Sequence, residues 1–438
     1  MSERVFSLPR GMKDIDAPEM AKRLWLNKKI LSVLEKYGFQ IVEPTSIETL
    51  ETLEAKSGPE IKDEIYYFPD KAGRNLGLRF DLTVGMTRMV ASRYDLPEPV
   101  KIAALSGMWR YDEPQFARYR HFYQWDAEIY GTVEIEADAE AIAVGTDILE
   151  AIGLRDYEVR VSSRKFTEGV LRQLGITQQE NVEQTIRVID KSRKISPTMF
   201  ERELLGTGLT QDVIEKIAEI TSLRGSADHV LSSIPEEFSK NEMSSKGREE
   251  LSRLFDVLND LGKSEKCILD LSIVRGIGYY DGIVFEAYDK GGEAVGALFG
   301  GGRYDRLAGV YGKREIPATG VAGGIERLMI SLERASLFPK LSQNPKVFAT
   351  AIDEQSRHKI LNVVMELRKN GISCDHDMKK RSLRNQLEYA DSMGIPLAII
   401  LGPKELENGV VKVRDMRTRV ETEVKTSELI GEVTRKLQ

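Results

Sequence analysis

Residues 101–130 read KIAALSGMWR YDEPQFARYR HFYQWDAEIY, and the fold turns on this stretch. Two runs with strand character, Lys101 to Arg110 and His121 to Tyr130, flank the polar connection YDEPQFARY, which predicts neighbouring antiparallel strands. In the second run, alternation sets Phe122, Gln124, Asp126 and Glu128 on one face and Tyr123, Trp125, Ala127 and Ile129 on the other. The first of these faces is unusually polar. At about 3.3 Å per residue, Gln124 and Glu128 stand roughly 13 Å apart, so long side chains there can grip opposite ends of a small polar ligand. Arg110, Arg118 and Arg120 meet on the connecting loop, and guanidinium forks suit phosphate oxygens. The competing readings are a solvated charged turn and an exposed amphipathic sheet face.

Upstream, Asp16 is placed to cap a helix that carries Met20, Leu24, Leu31 and Leu34 on one face, with Glu19 as capping-box partner and Gly38 at its end. Phe39 to Val42 reads as a short strand stopped by Pro44. Ile65 to Phe68 and Leu76 to Phe80 flank the turn-like PDKAGRN, and Thr83 to Tyr94 follows as helix. Downstream, residues 136–151 are helical, and the charged segment from about Lys165 to Gly262 has helical periodicity and no convincing strand, the pattern of a helical insertion. Strands resume at Cys267 to Val274 and Gly282 to Tyr288, and the glycine-dense run 291–302 intervenes. Gly320 to Leu328, GVAGGIERL, passes from a glycine-rich strand into a helix that bears Arg327; its missing side chains would let a flat or phosphorylated ligand approach the backbone. Around 338–345 a Pro, Ser and Asn stretch resembles a linker, after which strand and helix alternate in a compact α/β module.

Composition narrows the function classes. The 438 residues carry a formal charge of −6, unevenly spread: from Lys340 to Gln438 the balance is +4, which leaves −10 on the rest. A protein that coats nucleic acid everywhere is disfavoured, whereas local phosphate contact by the terminal module fits. No run approaches the roughly 20 apolar residues of a membrane span, and MSERVFSLPRGMKD lacks the apolar run of a signal peptide, so a cytoplasmic location and no membrane partner are expected. Cys267 and Cys374 lie in no metal-binding or redox motif and read as small buried hydrophobes, with no protein-bound metal expected. Neither GxxxxGK[ST] nor a GxGxxG after a strand is present, which disfavours an ordinary phosphate-loop ATPase and a dinucleotide dehydrogenase.

RYDEP with its downstream RYRHFYQ resembles motif 2 of class II aminoacyl-tRNA synthetases, GVAGGIERL resembles motif 3, and Pro44 matches the motif 1 proline. LSIVRGIGYYDG at 271–282 and FGGGRYDRL at 299–307 are similar to the two peptides peculiar to histidyl-tRNA synthetases. The resemblance spans nearly the whole chain except the insertion sequence. It implies an α+β fold: a six- or seven-stranded antiparallel sheet flanked by helices, a helical insertion and a five-stranded α/β anticodon-binding domain. The expected divisions are a catalytic domain in two parts, 1–163 and 263–335, an insertion at 164–262, a linker at 336–345 and the anticodon-binding domain at 346–438. Motif 1 implies a two-fold homodimer.

The resemblance further implies that the protein activates L-histidine with ATP to histidyl-adenylate, releasing pyrophosphate, and then transfers histidine to tRNA(His), releasing AMP. By the family pattern Asp81, Thr83 and Gln124 would hold the α-amino and carboxylate end of histidine, while Glu128 with Tyr279 and Tyr280 would read the imidazole. A carboxylate that accepts and a phenol that donates satisfy both nitrogens of a neutral imidazole. Arg110, Arg118 and Arg327 would bind ATP phosphates, with Glu113 near the adenine amino group and His121 close by. Arg275 would sit by the α-phosphate and take part of a metal's role, with Mg²⁺ bridging phosphates of ATP. Arg110 and Arg275 are thus the expected catalytic residues and border the histidine as well. Tyr304 and Arg303 would wall the histidine pocket. In the terminal module Lys379, Lys380, Arg381 and Arg384 open a helix, and Arg414, Arg417 and Arg419 follow the last strand; a minority of these would touch anticodon phosphates. His229, His358 and His376 have no motif around them and read as surface or packing residues. Two rival readings remain open: a regulatory paralogue serving ATP phosphoribosyltransferase, which usually lacks the anticodon module, and a nucleic-acid-binding pseudo-synthetase that has lost the chemistry.

Overall fold

The computed structural model describes residues 7–57, 59–113, 119–275, 279–292 and 295–437. It divides into two compact units between Pro339 and Lys340. Strands of the first unit are β1 (Gln40–Ile41), β2 (Ile47–Thr49), β3 (Tyr67–Pro69), β4 (Asn75–Leu78), β5 (Val100–Trp109), β6 (His121–Tyr130), β7 (Tyr157–Ser163), β8 (Arg224–Gly225), β9 (Cys267–Asp270), β10 (Ile283–Asp289), β11 (Ala297–Arg303) and β12 (Ala318–Gly324). Among the described residues nine of these form one sheet, in the order β1-β5-β6-β12-β11-β10-β7-β9-β8, and β2-β4-β3 form a small antiparallel sheet. As the sequence predicts, β5 and β6 are antiparallel neighbours, paired from Val100 opposite Tyr130 to Trp109 opposite His121 without a slip.

The sheet is larger than the expected six or seven strands and is mixed, because β1 runs parallel to β5 and β7 parallel to β9. Its middle, from β5 to β7, is antiparallel throughout. The extra strands come from segments that local pattern undervalues. YEVRVSS forms β7 between β10 and β9, and two residues inside the otherwise helical insertion form β8. The glycine-dense run holds β11, a full strand between β10 and β12, because both neighbours supply hydrogen bonds that glycine's own weak strand propensity does not.

Helices are α1 (Ala17–Lys36), α2 (Leu50–Ser57), α3 (Thr83–Ala91), α4 (Ile135–Ala151), α5 (Arg164–Gln173), α6 (Gln179–Ile189), α7 (Pro197–Gly206), α8 (Gln211–Ser222), α9 (Ala227–Ser233), α10 (Glu242–Asp260), α11 (Leu307–Tyr311) and α12 (Ile325–Arg334). Asp16 caps α1 as expected by accepting the N–H of Glu19, but the Glu19 carboxylate bonds Lys13 instead of closing a capping box. The buried stripe of α1 is Leu26, Ile30, Val33 and Leu34, while Leu24 is 51% exposed, which corrects the face read from sequence. Apolar residues stand nearly all round this helix, so periodicity alone could not choose the stripe. Burying those four side chains contributes on the order of 6 to 12 kcal/mol before chain entropy is counted.

With α4 and α10, α1 covers one sheet face, where Trp125, Ala127 and Ile129 of β6 meet Phe285 and Phe299 in a continuous core. Tyr130 of β6 lies in a second cluster on the opposite face with Met86, Ala104, Tyr280, Val284 and Tyr304. The predicted alternation of β6 is thus observed, but its polar face is covered: Asp126 and Glu128 are 1% and 2% exposed, which removes the exposed-sheet reading. The insertion has its own core of Leu171, Val182, Ile186, Phe200, Leu204, Ile214 and Ile217.

The second unit contains β13 (Val347–Ala351), α13 (Glu354–Lys369), β14 (Cys374–His376), α14 (Leu383–Ser392), β15 (Leu397–Leu401), α15 (Pro403–Asn408), β16 (Val410–Asp415), β17 (Glu421–Lys425) and α16 (Leu429–Leu437). Its five-stranded sheet, β14-β13-β15-β16-β17, begins parallel and ends antiparallel. Lys379, Lys380 and Arg381 precede the cap Ser382 of α14, and only Arg384 lies in its first turn. Arg414 belongs to β16 and Arg417 and Arg419 to the turn before β17, so none of the three follows the last strand. Both cysteines are buried and free, and burial pushes each thiol up to about 12. Among the described residues no helix is long and apolar enough to cross a membrane.

Candidate active site

The covered face of β6 supplies the floor of the site. Glu128 is fixed from two sides: the Thr83 hydroxyl of α3 donates to Oε1 at 2.9 Å, and the Tyr304 hydroxyl donates to Oε2. Room for this carboxylate comes from Gly320, its partner across β6 and β12, since a Cβ there would stand 1.5 Å from Glu128 Oε2. Tyr279 and Tyr280 complete an aromatic wall, their hydroxyls 3.2 Å apart and the Tyr279 ring edge-on to Tyr304 at 5.7 Å. Burial first, and then the charge of Glu128, hold the Tyr304 and Tyr130 phenols far above their usual range, so they remain donors at neutral pH. Asp81 accepts the N–H of Val84 at 3.0 Å in the first turn of α3. Thr83, expected at the amino end of the ligand, therefore touches the residue expected at the imidazole end.

Further along the same face lies a cavity of about 230 Å³, lined by Arg110, Gln124, Arg275, Glu286, Arg327 and the glycine-rich end of β12. Among the described residues Gln124 Oε1 is shut off from solvent with no hydrogen-bond partner, and such a group is costly unless something satisfies it. Arg110 leans on Phe122, its guanidinium carbon 5.0 Å from the ring centre, and Nε donates to the Phe80 carbonyl at 3.0 Å. From α12, Arg327 reaches back to the Ala297 carbonyl at 2.9 Å. Arg275 has φ +48°, a left-handed conformation that costs a non-glycine residue about 1 kcal/mol or more and is found preferentially at functional sites. Its guanidinium pairs with Glu286 at 3.0 Å and lies against Gly300, where a Cβ would be 2.2 Å from Nη1. Burial opposes its charge, but Tyr280, Glu286 and Tyr279 around it hold the proton on.

Not every expected residue arrives at this cavity. Glu113 is exposed, paired with Arg10, and does not line it. Arg118 lies outside the described residues. Arg120 braces the loop, donating to the Asp112 carbonyl at 3.0 Å with its guanidinium over Tyr111. His121 is stacked on Trp109 at 4.9 Å and is not among the cavity's lining residues; burial and then Arg23 lower its pKa, which favours the neutral ring.

Arg303 points away from Tyr304, which corrects its expected place in the pocket wall. It is bound by Asp138 through Nε at 2.9 Å and by the carbonyls of Thr132 and Glu134, and so anchors the start of α4. Asp138→Ala would remove the fully buried carboxylate of this pair, leaving the guanidinium Asp305 at 3.2 Å and the two carbonyls, and is expected to destabilise the first unit by about 3 kcal/mol; an unchanged melt would show those partners to suffice. Sequence reasoning missed Glu286 as the partner of Arg275. A carboxylate in the middle of the otherwise apolar run IVFEAY was the signal available.

Comparisons with known proteins bear on the family and the fold. The family model described as histidyl-tRNA synthetase matches residues 11–328, and that of an anticodon binding domain matches 343–436. A histidine–tRNA ligase of Pyrococcus abyssi is 38% identical over 437 residues, 99% of each chain, and one of Thermoplasma volcanium 35% over 424 residues, 96% of each. The crystal structure of histidyl-tRNA synthetase from Nostoc sp. PCC 7120 superposes with a TM-score of 0.85 at 28% identity, covering 99% of this chain and 100% of that one. An ATP phosphoribosyltransferase regulatory subunit/histidyl-tRNA synthetase from Bacillus halodurans shares the fold at TM-score 0.75 and 22% identity, over 91% of this chain and 98% of that one. Matched by the family model over most of its length and by relatives from end to end, the chain belongs to the histidyl-tRNA synthetase family of class II aminoacyl-tRNA synthetases.

Proposed function

We propose that the cavity and the aromatic wall beside it carry out both steps of the family's reaction. The observation that carries this reading is the cavity that joins Gln124 to Arg110, Arg275 and Arg327, next to the fixed carboxylate of Glu128. Histidine lies along β6. Its imidazole N–H donates to Glu128, which keeps accepting capacity beyond Thr83 and Tyr304, and the other nitrogen takes a phenol proton from Tyr279 or Tyr280. Asp81, Thr83 and Gln124 hold the amino and carboxylate end. ATP phosphates lie against Arg110, Arg118 and Arg327, and Glu113 reaches the adenine amino group once its pair with Arg10 opens.

In the first step the α-carboxylate of histidine attacks the α-phosphorus and pyrophosphate leaves. No general base is required, since the carboxylate is already ionised at neutral pH. The protein contributes alignment, and Arg275 and Arg110 place fixed positive charge where the phosphoryl oxygens gain charge. In the second step the terminal ribose hydroxyl of tRNA(His) attacks the acyl carbon and AMP leaves. Mg²⁺ fits the site as an ion carried by ATP phosphates: the lining offers the carboxylates of Asp112 and Glu286, and among the described residues no group of three or more His, Cys, Asp or Glu is arranged to hold a metal. When bound there, the ion neutralises phosphate charge.

A two-fold homodimer in the cytoplasm is part of the same proposal, supported by two exposed apolar side chains, Leu24 of α1 at 51% and Ile41 of β1, three residues before the motif 1 proline, at 47%. Sedimentation at twice the chain mass, reduced to a single chain by Leu24→Glu, is expected; a wild-type monomer would remove the dimer. Basic residues of the second unit, from Lys379 to Arg384 and from Arg414 to Arg419, are proposed to meet anticodon phosphates. The catalytic reading is tested by ATP–pyrophosphate exchange with each amino acid in turn. Exchange with histidine alone is expected, and exchange with none would favour the regulatory rival.

A further inference from the structure

Arg275 is held by two different bodies. Its guanidinium rests on the catalytic sheet, against Glu286 and Gly300. Its backbone belongs to the insertion. The Arg275 carbonyl accepts from Arg164 Nη1 at 3.2 Å, and Arg164, fully buried, spends Nη2 on both carboxylate oxygens of Glu183 in α6, at 2.7 and 2.6 Å, and Nε on Glu168 in α5 at 3.0 Å. Val274, one residue earlier, is 0% exposed and fills the insertion's own core with Val182, Ile186, Phe200 and Ile217. Earlier still, Arg193 of the insertion binds Asp270 at 2.8 Å and Ser272 at 2.7 Å, and Leu271 N–H donates to the Leu223 carbonyl.

From this juxtaposition we infer that the helical insertion is the positioning element of Arg275: Arg164 and Glu183 clamp its strained backbone so that the guanidinium stays over the sheet, in register with the α-phosphate. The inference rests on the proposed role of Arg275. A left-handed φ persists only where the surroundings over-determine it: Leu271 and Ile273 tie the approach to the two cores of the sheet, while Val274 and the Arg275 carbonyl are tied to the insertion core, α5 and, through Arg164, α6. The three nitrogens of the Arg164 guanidinium each go to a different residue, Glu168, Glu183 and the Arg275 carbonyl, and its charge-assisted bonds to the two carboxylates give the clamp its strength. A shift of α6 relative to the sheet would therefore be read at the reacting phosphorus, where an error of about 1 Å costs on the order of 10²-fold. Arg164 and Glu183 act through Arg275 and touch no substrate.

The test uses the full chain and histidine-dependent ATP–pyrophosphate exchange for Glu183→Gln, Arg164→Gln and Val274→Ala, each alone and combined with Arg275→Ala. Glu183→Gln keeps the size of a partly exposed side chain, so it serves even if Arg164→Gln does not fold. The expected result is a kcat about tenfold lower with KM for histidine and ATP within about twofold and no further loss in the Arg275→Ala background, with the melting curve unchanged for Glu183→Gln and lowered for the two buried positions. A Glu183→Gln rate within about twofold of wild type would overturn the inference, as would a loss that persists when Arg275 is already gone. If Arg275→Ala itself keeps full exchange, the reading of Arg275 fails first, and the clamp has nothing to position.

Discussion

Arg275→Ala is expected to lower the kcat of histidine-dependent pyrophosphate exchange by about 10²- to 10³-fold, the range found when one fixed donor to a developing oxyanion is removed. The side chain is a good candidate for so large an effect because nothing has to move for it to act. Its charge is paired with Glu286, its guanidinium is seated on Gly300, and its backbone is locked in a left-handed conformation. Charge stabilisation that is already oriented costs no reorganisation when the phosphoryl oxygens become more negative. KM for histidine should change much less than kcat, since the loss falls on the transition state. Stability should hold, because removing the arginine leaves Glu286 with the Tyr288 hydroxyl. A kcat within threefold of wild type would mean that Arg275 is a structural ion-pair partner of Glu286 and that the charge is met by Arg110 and Arg327.

Glu128→Gln is expected to lower kcat/KM for histidine by about 10²-fold, chiefly through KM, with KM for ATP unaffected. Two donors, Thr83 and Tyr304, already hold this carboxylate, so its orientation is set before histidine arrives. An amide of the same size offers one acceptor where the carboxylate offers two. Either the imidazole N–H or one of the protein hydroxyls must then go without a partner in a place sealed from water, which costs about 2 to 3 kcal/mol when a charged partner is lost. Selectivity should fall along with affinity, because a site built around hydrogen bonds rejects ligands that leave its groups unpaired. KM for histidine within threefold of wild type would assign Glu128 to bracing Tyr304 and move imidazole recognition onto the tyrosines alone.

Membership of the family also weighs on the rival readings. The regulatory paralogue usually lacks a terminal anticodon module, and in this chain a matching module is folded as a separate unit with its own core. Arg110, Arg275 and Arg327, proposed to meet ATP phosphates, all line one cavity, which a pseudo-synthetase has no need to keep. Likeness to the Bacillus halodurans protein, at 22% identity, speaks to the fold alone.

Much of this protein is legible in its sequence. The pairing of β5 with β6, the run of β12 into α12 and the alternating terminal module all follow from strong local period and turn chemistry, and their residues are where pattern places them. So does the polar face of β6, because side chains on a strand have a strict period of two. The tertiary structure decided the rest, and in each case the cause is non-local. FGGGR becomes β11 because β10 and β12 supply both ladders, and its glycines are needed for what lies above them, Arg275 over Gly300. The same closeness makes Gly320 the seat of Glu128. Arg303 and Tyr304, adjacent in sequence, face opposite sides of the sheet, one into a buried ion pair and one onto the site. Nothing in the charged pattern of the insertion marks Arg164, Glu183 or the pocket for Val274, because a clamp between segments about a hundred residues apart leaves no period in either of them. Local pattern determines which elements form and which way each side chain points; only packing between distant elements determines what that side chain meets.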